Sequence, residues 1–133
     1  MAVANSAGLP IAVYIADGPR FESKLVEQTI DASFVKFFPR KLIGDKAYDS
    51  RPLEKQLKRR RIQLIAPKRR GIRTGDRKQD GRALRRYKRR WRIEALFARL
   101  KRFRRISSRW DYKAENFLGF LLLGCIKIIL RYF

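Results

Sequence analysis

Histidine is absent from this chain, and cysteine occurs once, at Cys125. The usual zinc sites need several such ligands, so none of those kinds can form. Catalysis by an imidazole and disulfides within the chain are excluded on the same ground. Any chemistry would run on carboxylates, hydroxyls or bound hard metal ions. Cys125 sits in an apolar run and reads as a small buried hydrophobe. Acids are scarce too: 12 Asp and Glu stand against 34 Lys and Arg, a formal net charge of +22. Repulsion on that scale opposes a compact fold unless a polyanion neutralises it. Nucleic acid, an anionic membrane surface or a strongly acidic protein would do so. Long hydrophobic runs are also missing. The longest, residues 117–126, is broken by Lys127, whereas a bilayer span wants about 20 apolar residues. The start, Met-Ala-Val-Ala-Asn-Ser, lacks the basic and apolar parts of a signal peptide. The expectation is a soluble cytoplasmic protein with no membrane segment.

What is present points to a folded domain. Hydrophobic residues make up 45% of the 133, enough to build a core in one domain or in a piece of a larger one. Ala2–Ala4 and residues 9–16 read as two strands joined by the turn-like Asn5-Ser6-Ala7-Gly8. The first is a stub, which suggests that a segment upstream is missing. Glu22–Asp31 carries Leu25, Val26 and Ile30 at helical spacing, with Phe34 beyond. Lys41-Leu42-Ile43-Gly44 is a short strand ending at Asp45. Asp49 or Ser50 can cap a helix that tolerates Pro52 in its first turn and runs to about Arg61. Residues 62–66 form another apolar strand, stopped by Pro67. Strand and helix alternate, as in α/β folds. Residues 67–82 are basic and almost without apolar side chains, a loop long enough to suggest function or disorder. Residues 83–103 read as one long helix. Asp111 is the candidate cap of a last helix over residues 111–132, apolar nearly all round and so expected to be buried on more than one side.

The basic helix carries the constellation of most interest. Between Arg82 and Arg105 there are twelve Lys or Arg and a single acid, Glu94. At about 100° per residue, Tyr87, Arg90, Glu94 and Lys101 project within an arc of roughly 60°, with Trp91 and Ala98 beside them. One account of Glu94 is a solvated i,i+4 salt bridge to Arg90. The other is a ligand for a hard divalent cation, which takes one or two carboxylates together with phosphate oxygens and water. A second acid would come from another element. Asp45, at the C-terminal edge of a strand, is the best placed, since ligands gather at strand ends of α/β sheets; a turn or capping role is the alternative. Asp49 is explained as a helix cap.

Tyr87, Arg90, Glu94 and Lys101, separated by two, three and six residues, resemble the Y-R-E-K signature of bacterial insertion-sequence DDE transposases. Gly44-Asp45-Lys46-Ala47-Tyr48-Asp49-Ser50 resembles the segment that carries that family's second catalytic Asp. Arg85-Arg86-Tyr87-Lys88-Arg89-Arg90-Trp91 and Glu115-Asn116-Phe117-Leu118-Gly119-Phe120 are similar to the flanking text, and the likeness runs through essentially the whole chain in order.

The resemblance implies an α/β, RNase H-like fold, a mixed sheet with flanking helices, here lacking the first catalytic strand. It implies two-metal phosphoryl transfer on DNA, with Asp45 and Glu94 as catalytic residues and as ligands of Mg²⁺ or Mn²⁺, two ions being expected only in the complete enzyme. Tyr87, Arg90 and Lys101 would hold phosphates, and Trp91 would pack or stack nearby. Water and then a DNA 3′-hydroxyl would be the nucleophiles. The partners implied are transposon ends and target DNA, the upstream half of the same transposase, and further copies in a homo-oligomer at the bacterial nucleoid. The family's first Asp belongs to an earlier strand. Asp17, which follows a strand into the turn Gly18-Pro19, is not a substitute for it. The chain alone is therefore expected to be inactive. Composition taken by itself favours a non-catalytic basic nucleic-acid-binding protein; the registration of the four signature residues and the Asp45 segment favour the transposase.

Overall fold

The computed structural model describes residues 1–16, 22–36, 39–68 and 81–133. Most of the basic 67–82 loop, and Asp17 with its turn, lie outside these residues. Strand β1 (Ala2–Ala4) pairs antiparallel with β2 (Pro10–Val13), with an irregularity in register between Val3 and Ala4. The turn between them closes on Asn5, whose side-chain oxygen accepts from the amides of Ala7 and Leu9 at 2.9 and 3.0 Å. Gly8 follows at φ +79°, a left-handed conformation that glycine adopts without Cβ strain. On the far side of β2, Ser33 forms a bridge with Ala12.

Helix α1 (Glu22–Asp31) buries Leu25, Val26, Thr29 and Ile30. The buried Thr29 hydroxyl is satisfied by donating to the Leu25 carbonyl at 2.7 Å. Strand β3 (Lys41–Ile43) then runs parallel to β4 (Gln63–Ile65), and helix α2 (Arg51–Arg59) makes the crossover that a parallel pair requires. Ser50 is the N-cap of α2, without a side-chain cap bond, and Pro52 is accepted in the first turn. Asp49 instead ends the 3₁₀ turn Lys46–Tyr48. The molecule is thus a mixed α/β structure with two small sheets of two strands each among the described residues.

The stretch expected as one helix over 83–103 is divided. Helix α3 (Gly81–Tyr87) passes through a 3₁₀ turn (Lys88–Arg90) into α4 (Trp91–Leu100), and a short α5 (Arg104–Ser107) follows. Helix α6 (Ala114–Leu130) closes the chain. Its N-cap is Lys113 rather than Asp111, which turns inward, one carboxylate oxygen lying 3.9 Å from Arg105.

Two hydrophobic clusters hold these elements. Val13, Leu96, Leu100, Cys125 and Ile128 join the hairpin to α4 and α6. Val26, Ile30, Leu53, Leu57 and Ile62 join α1 and α2, with Leu42 and Leu64 packing from β3 and β4. Cys125 is buried, and burial pushes its thiol up to about 11. Helix α6 differs from expectation. Gly124, Cys125 and Ile128 are buried, while Leu123, Ile126 and Leu130 remain 61%, 52% and 66% exposed. Its neighbours α4, α5 and β2 cover one side of it.

Candidate active site

A cavity of about 730 Å³ lies between the two sheets, with β1 on one wall, β3 on the other, and α4 and the 3₁₀ turn before it contributing Arg89, Arg90 and Glu94. Both sheet edges and the basic helix therefore meet at one place. The cavity wall carries three carboxylates, Glu22, Asp45 and Glu94, set among cations that include Lys41, Arg86 and Arg90.

Asp45 reaches the cavity because β3 stops at Ile43 and the chain turns at once into the 3₁₀ turn. Its Oδ1 accepts from the Ala47 amide at 2.7 Å, capping that turn. Gly44 makes room for the turn: a Cβ there would stand 3.0 Å from three side-chain atoms of Tyr48. The Tyr48 hydroxyl donates to Glu22 Oε2 at 2.8 Å, tying the start of α1 to the segment that carries Asp45. Burial first, and then the hydrogen bond to Glu22, raises the Tyr48 pKa well above the ordinary phenol value. Tyr48 therefore remains a donor at any working pH.

Arg90 stands between the two predicted acids. One terminal nitrogen lies 2.6 Å from Glu94 Oε1, and the other 3.9 Å from Asp45 Oδ2. That second nitrogen also donates to the Tyr87 hydroxyl at 3.2 Å, and the guanidinium sits 5.6 Å from the Tyr87 ring centroid. The 3₁₀ turn explains this pairing, because side chains three apart eclipse at about 120° per residue. The hydrogen bond to Glu94, above all, raises the Arg90 pKa further. Arg90, Asp45 and Glu94 are partly exposed at 37%, 41% and 59%, so these contacts are open to water and exchangeable.

Asp45, Glu94, Arg90 and Tyr87 thus form one connected set. Lys101 and Trp91 stand apart from it. Lys101, at the C-cap of α4, shares the azimuth of Arg90 and Glu94 but lies about 16 Å along the axis from Arg90. It does not line the cavity. Trp91 is 59% exposed, with Arg92 5.7 Å over its ring. Glu22 and Tyr48 were not singled out from the sequence. Tyr48 lay inside the Asp45 motif, but nothing in the spacing linked it to the first residue of α1.

In kind, the donors fit a hard divalent ion: two carboxylates from separate elements converge on a single cationic group. Among the described residues, no group of three His, Cys, Asp or Glu is close enough to hold a metal ion.

Residues 1–129 match the family model for the transposase DDE domain. The chain belongs to the DDE transposase family. A putative transposase for insertion sequence element IS6501 from Brucella ovis is 47% identical over 45 residues, which is 34% of this chain and 35% of that protein. The match therefore spans about a third of the length of that curated relative. Together the two likenesses put the domain among bacterial insertion-sequence DDE transposases. No solved structure matches the chain. No helix among the described residues is long and apolar enough to cross a membrane.

Proposed function

We propose that this transposase domain supplies the second Asp and the Glu of a metal-dependent centre that cleaves and transfers DNA strands. Asp45 and Glu94 would hold Mg²⁺ or Mn²⁺, and the metal would activate an attacking oxygen and stabilise a leaving one. The observation that carries this reading is the convergence of Asp45, from the end of β3, and Glu94, from α4, on the single guanidinium of Arg90. In this reading Arg90 is a stand-in cation. Its positive charge keeps two carboxylates together that would otherwise repel. When metal and DNA are bound, Arg90 turns to a phosphate oxygen, for which its fork of donors is suited. Tyr87 positions Arg90, and the cations around the cavity draw in the DNA backbone. Lys101, farther along the helix, and the exposed ring of Trp91 at its start contact DNA outside the cleavage point.

The same cavity supports a truncated RNase H-like fold for the domain. Two-stranded sheets are marginal by themselves, and here each presents a strand, β1 or β3, to a shared cavity. A further strand between them, carrying the family's first Asp, would join the two sheets into one and complete the ligand set. That strand would come from the upstream part of the transposase. A domain lacking that strand would bind DNA without cutting it.

Joining the upstream segment of a related intact element to this chain tests the reading. Strand cleavage at the element's ends should then appear with Mg²⁺ or Mn²⁺. Asp45→Asn or Glu94→Gln should abolish cleavage and leave duplex binding in place. Cleavage that survives Glu94→Gln would overturn the assignment and leave a basic DNA-binding domain.

A further inference from the structure

Two aromatic side chains stand in solvent on the loop between α5 and α6. Trp110 is 80% exposed and Tyr112 is 99% exposed. Scattered single aromatics on a surface are ordinary, but two large rings one residue apart form a patch. Their backbone is held in place. The Arg109 side chain donates to the carbonyls of Asp111 at 3.1 Å and Tyr112 at 3.3 Å. Its guanidinium lies 5.7 Å over the Phe117 ring of α6. Between the two rings, the Asp111 side chain turns inward, only 12% exposed, toward Arg105. Arg105 in turn lies 5.4 Å over the Phe120 ring. Two arginines therefore fasten the loop to α6, and the rings on either side of Asp111 are left outside. Little backbone ordering would remain to oppose a ligand that covers them.

The surroundings say which ligand. Of the thirteen residues 101–113, six are Lys or Arg, and Asp111 is the sole acid. Matching this surface takes flat faces for the rings and negative charge for the cations. Unpaired nucleotides offer both, because bases stack on aromatic side chains while phosphates meet Lys and Arg. A duplex keeps its base faces within the stack, and an acidic peptide brings charge without flat faces. We propose that the 108–113 loop is a stacking platform for unpaired bases of a DNA strand, with Trp110 and Tyr112 taking base faces and the Lys and Arg side chains of residues 101–113 that do not fasten the loop taking phosphates. The inference rests on DNA being the ligand of the domain. It is independent of the Asp45 and Glu94 metal site.

The test uses the full chain, with anisotropy titrations of a labelled short oligothymidine and of a duplex of equal length. Trp110→Ala and Tyr112→Ala should each weaken oligothymidine binding about tenfold and change duplex binding by less than about twofold, since phosphate contacts dominate there. Trp110→Phe should retain most of the affinity, because a phenyl ring still stacks. Both side chains are in solvent, so the variants should melt with the wild type. Oligothymidine should also quench tryptophan emission of the wild-type chain, and Trp110→Phe should remove the part of that quench that a Trp91→Phe chain retains. Equal losses on both DNAs would overturn the platform. So would unaltered binding to both. A wild-type chain that binds neither DNA would sink the DNA-binding reading as well; normal duplex binding with unaltered oligothymidine binding would sink this inference alone.

Discussion

Replacing Arg90 with Gln should tighten divalent-metal binding while weakening DNA binding. Any lost positive charge shifts the two affinities in these opposite directions, and a group that competes directly with the metal should exceed that general effect. Arg90 is paired with Glu94 at 2.6 Å and with Asp45 at 3.9 Å, and an incoming cation must break both contacts. Exposed pairs are each worth about 0.2–1 kcal/mol. Removing both contacts is therefore worth roughly 0.4–2 kcal/mol, or about a two- to thirtyfold tighter Kd for Mn²⁺. Any lost positive charge favours cations slightly. Arg59→Gln, on the exposed last turn of α2, supplies the control for that general effect. Calorimetric titration of the full chain with Mn²⁺ reads the affinity. Anisotropy across a salt series reads the DNA side, where the loss of one phosphate contact should lower the slope of log K against log salt by about 0.9. An Arg90→Gln chain that binds Mn²⁺ no better than the Arg59→Gln chain would show that Arg90 does not stand in for the metal. A chain that binds metal more weakly would refute the competition outright.

Other outcomes follow from the packing. Gly8→Ala places a Cβ at φ +79°, 3.2 Å from the Arg99 guanidinium, which itself donates to the Gly8 carbonyl at 2.9 Å; a loss of about 1–2 kcal/mol is expected, read by urea unfolding, and an unchanged midpoint would refute it. Tyr48→Phe removes the 2.8 Å bond to Glu22 and should cost about 0.5–1.5 kcal/mol, with Mn²⁺ affinity falling as the Asp45 turn loosens; metal binding that stays at wild-type strength would detach Tyr48 from the site. The Cys125 thiol, raised from 9.0 to about 11 by burial, holds its proton in the folded state where the unfolded chain has lost it. Stability should therefore be intact below about pH 9 and decline as pH rises from 9 toward 11. Cys125→Ala should flatten that decline, and an identical pH profile in the variant would rule the thiol out as its cause.

Elements with strong local punctuation were readable from the sequence. The turn at Asn5-Ser6-Ala7-Gly8, the stop at Pro67 and the period of Leu25, Val26 and Ile30 each have a local physical cause, and β1 to β4, α1 and α2 stand where those signals put them. The break at Lys88–Arg90 has no such signal. No Gly or Pro marks it, and the contacts that reward it, from Arg90 to Tyr87 and Asp45, are set by tertiary geometry. Helix α6 shows a different limit. An all-round apolar sequence reports what a helix could bury, not how many neighbours it meets, and Leu123, Ile126 and Leu130 are left exposed.

At the site, helical arithmetic gives azimuth, and so it grouped Lys101 with Arg90 and Glu94 although eleven residues of axial rise separate Lys101 from Arg90. The two bland accounts of the acids proved compatible with the functional ones, and the reason is chemical. A carboxylate has two oxygens. Asp45 uses Oδ1 to cap the turn through the Ala47 amide, which fixes its rotamer and leaves Oδ2 directed at Arg90. Glu94 makes the ordinary i,i+4 pair with Arg90, and that pair is the very contact linking it to Asp45 across the cavity. In the proposed reading, capping and pairing are the means by which two acids from distant parts of the sequence are held ready for a cation. For Asp45 the capping use and the proposed functional use fall on different oxygens of one carboxylate, whereas for Glu94 a single contact to Arg90 serves both accounts.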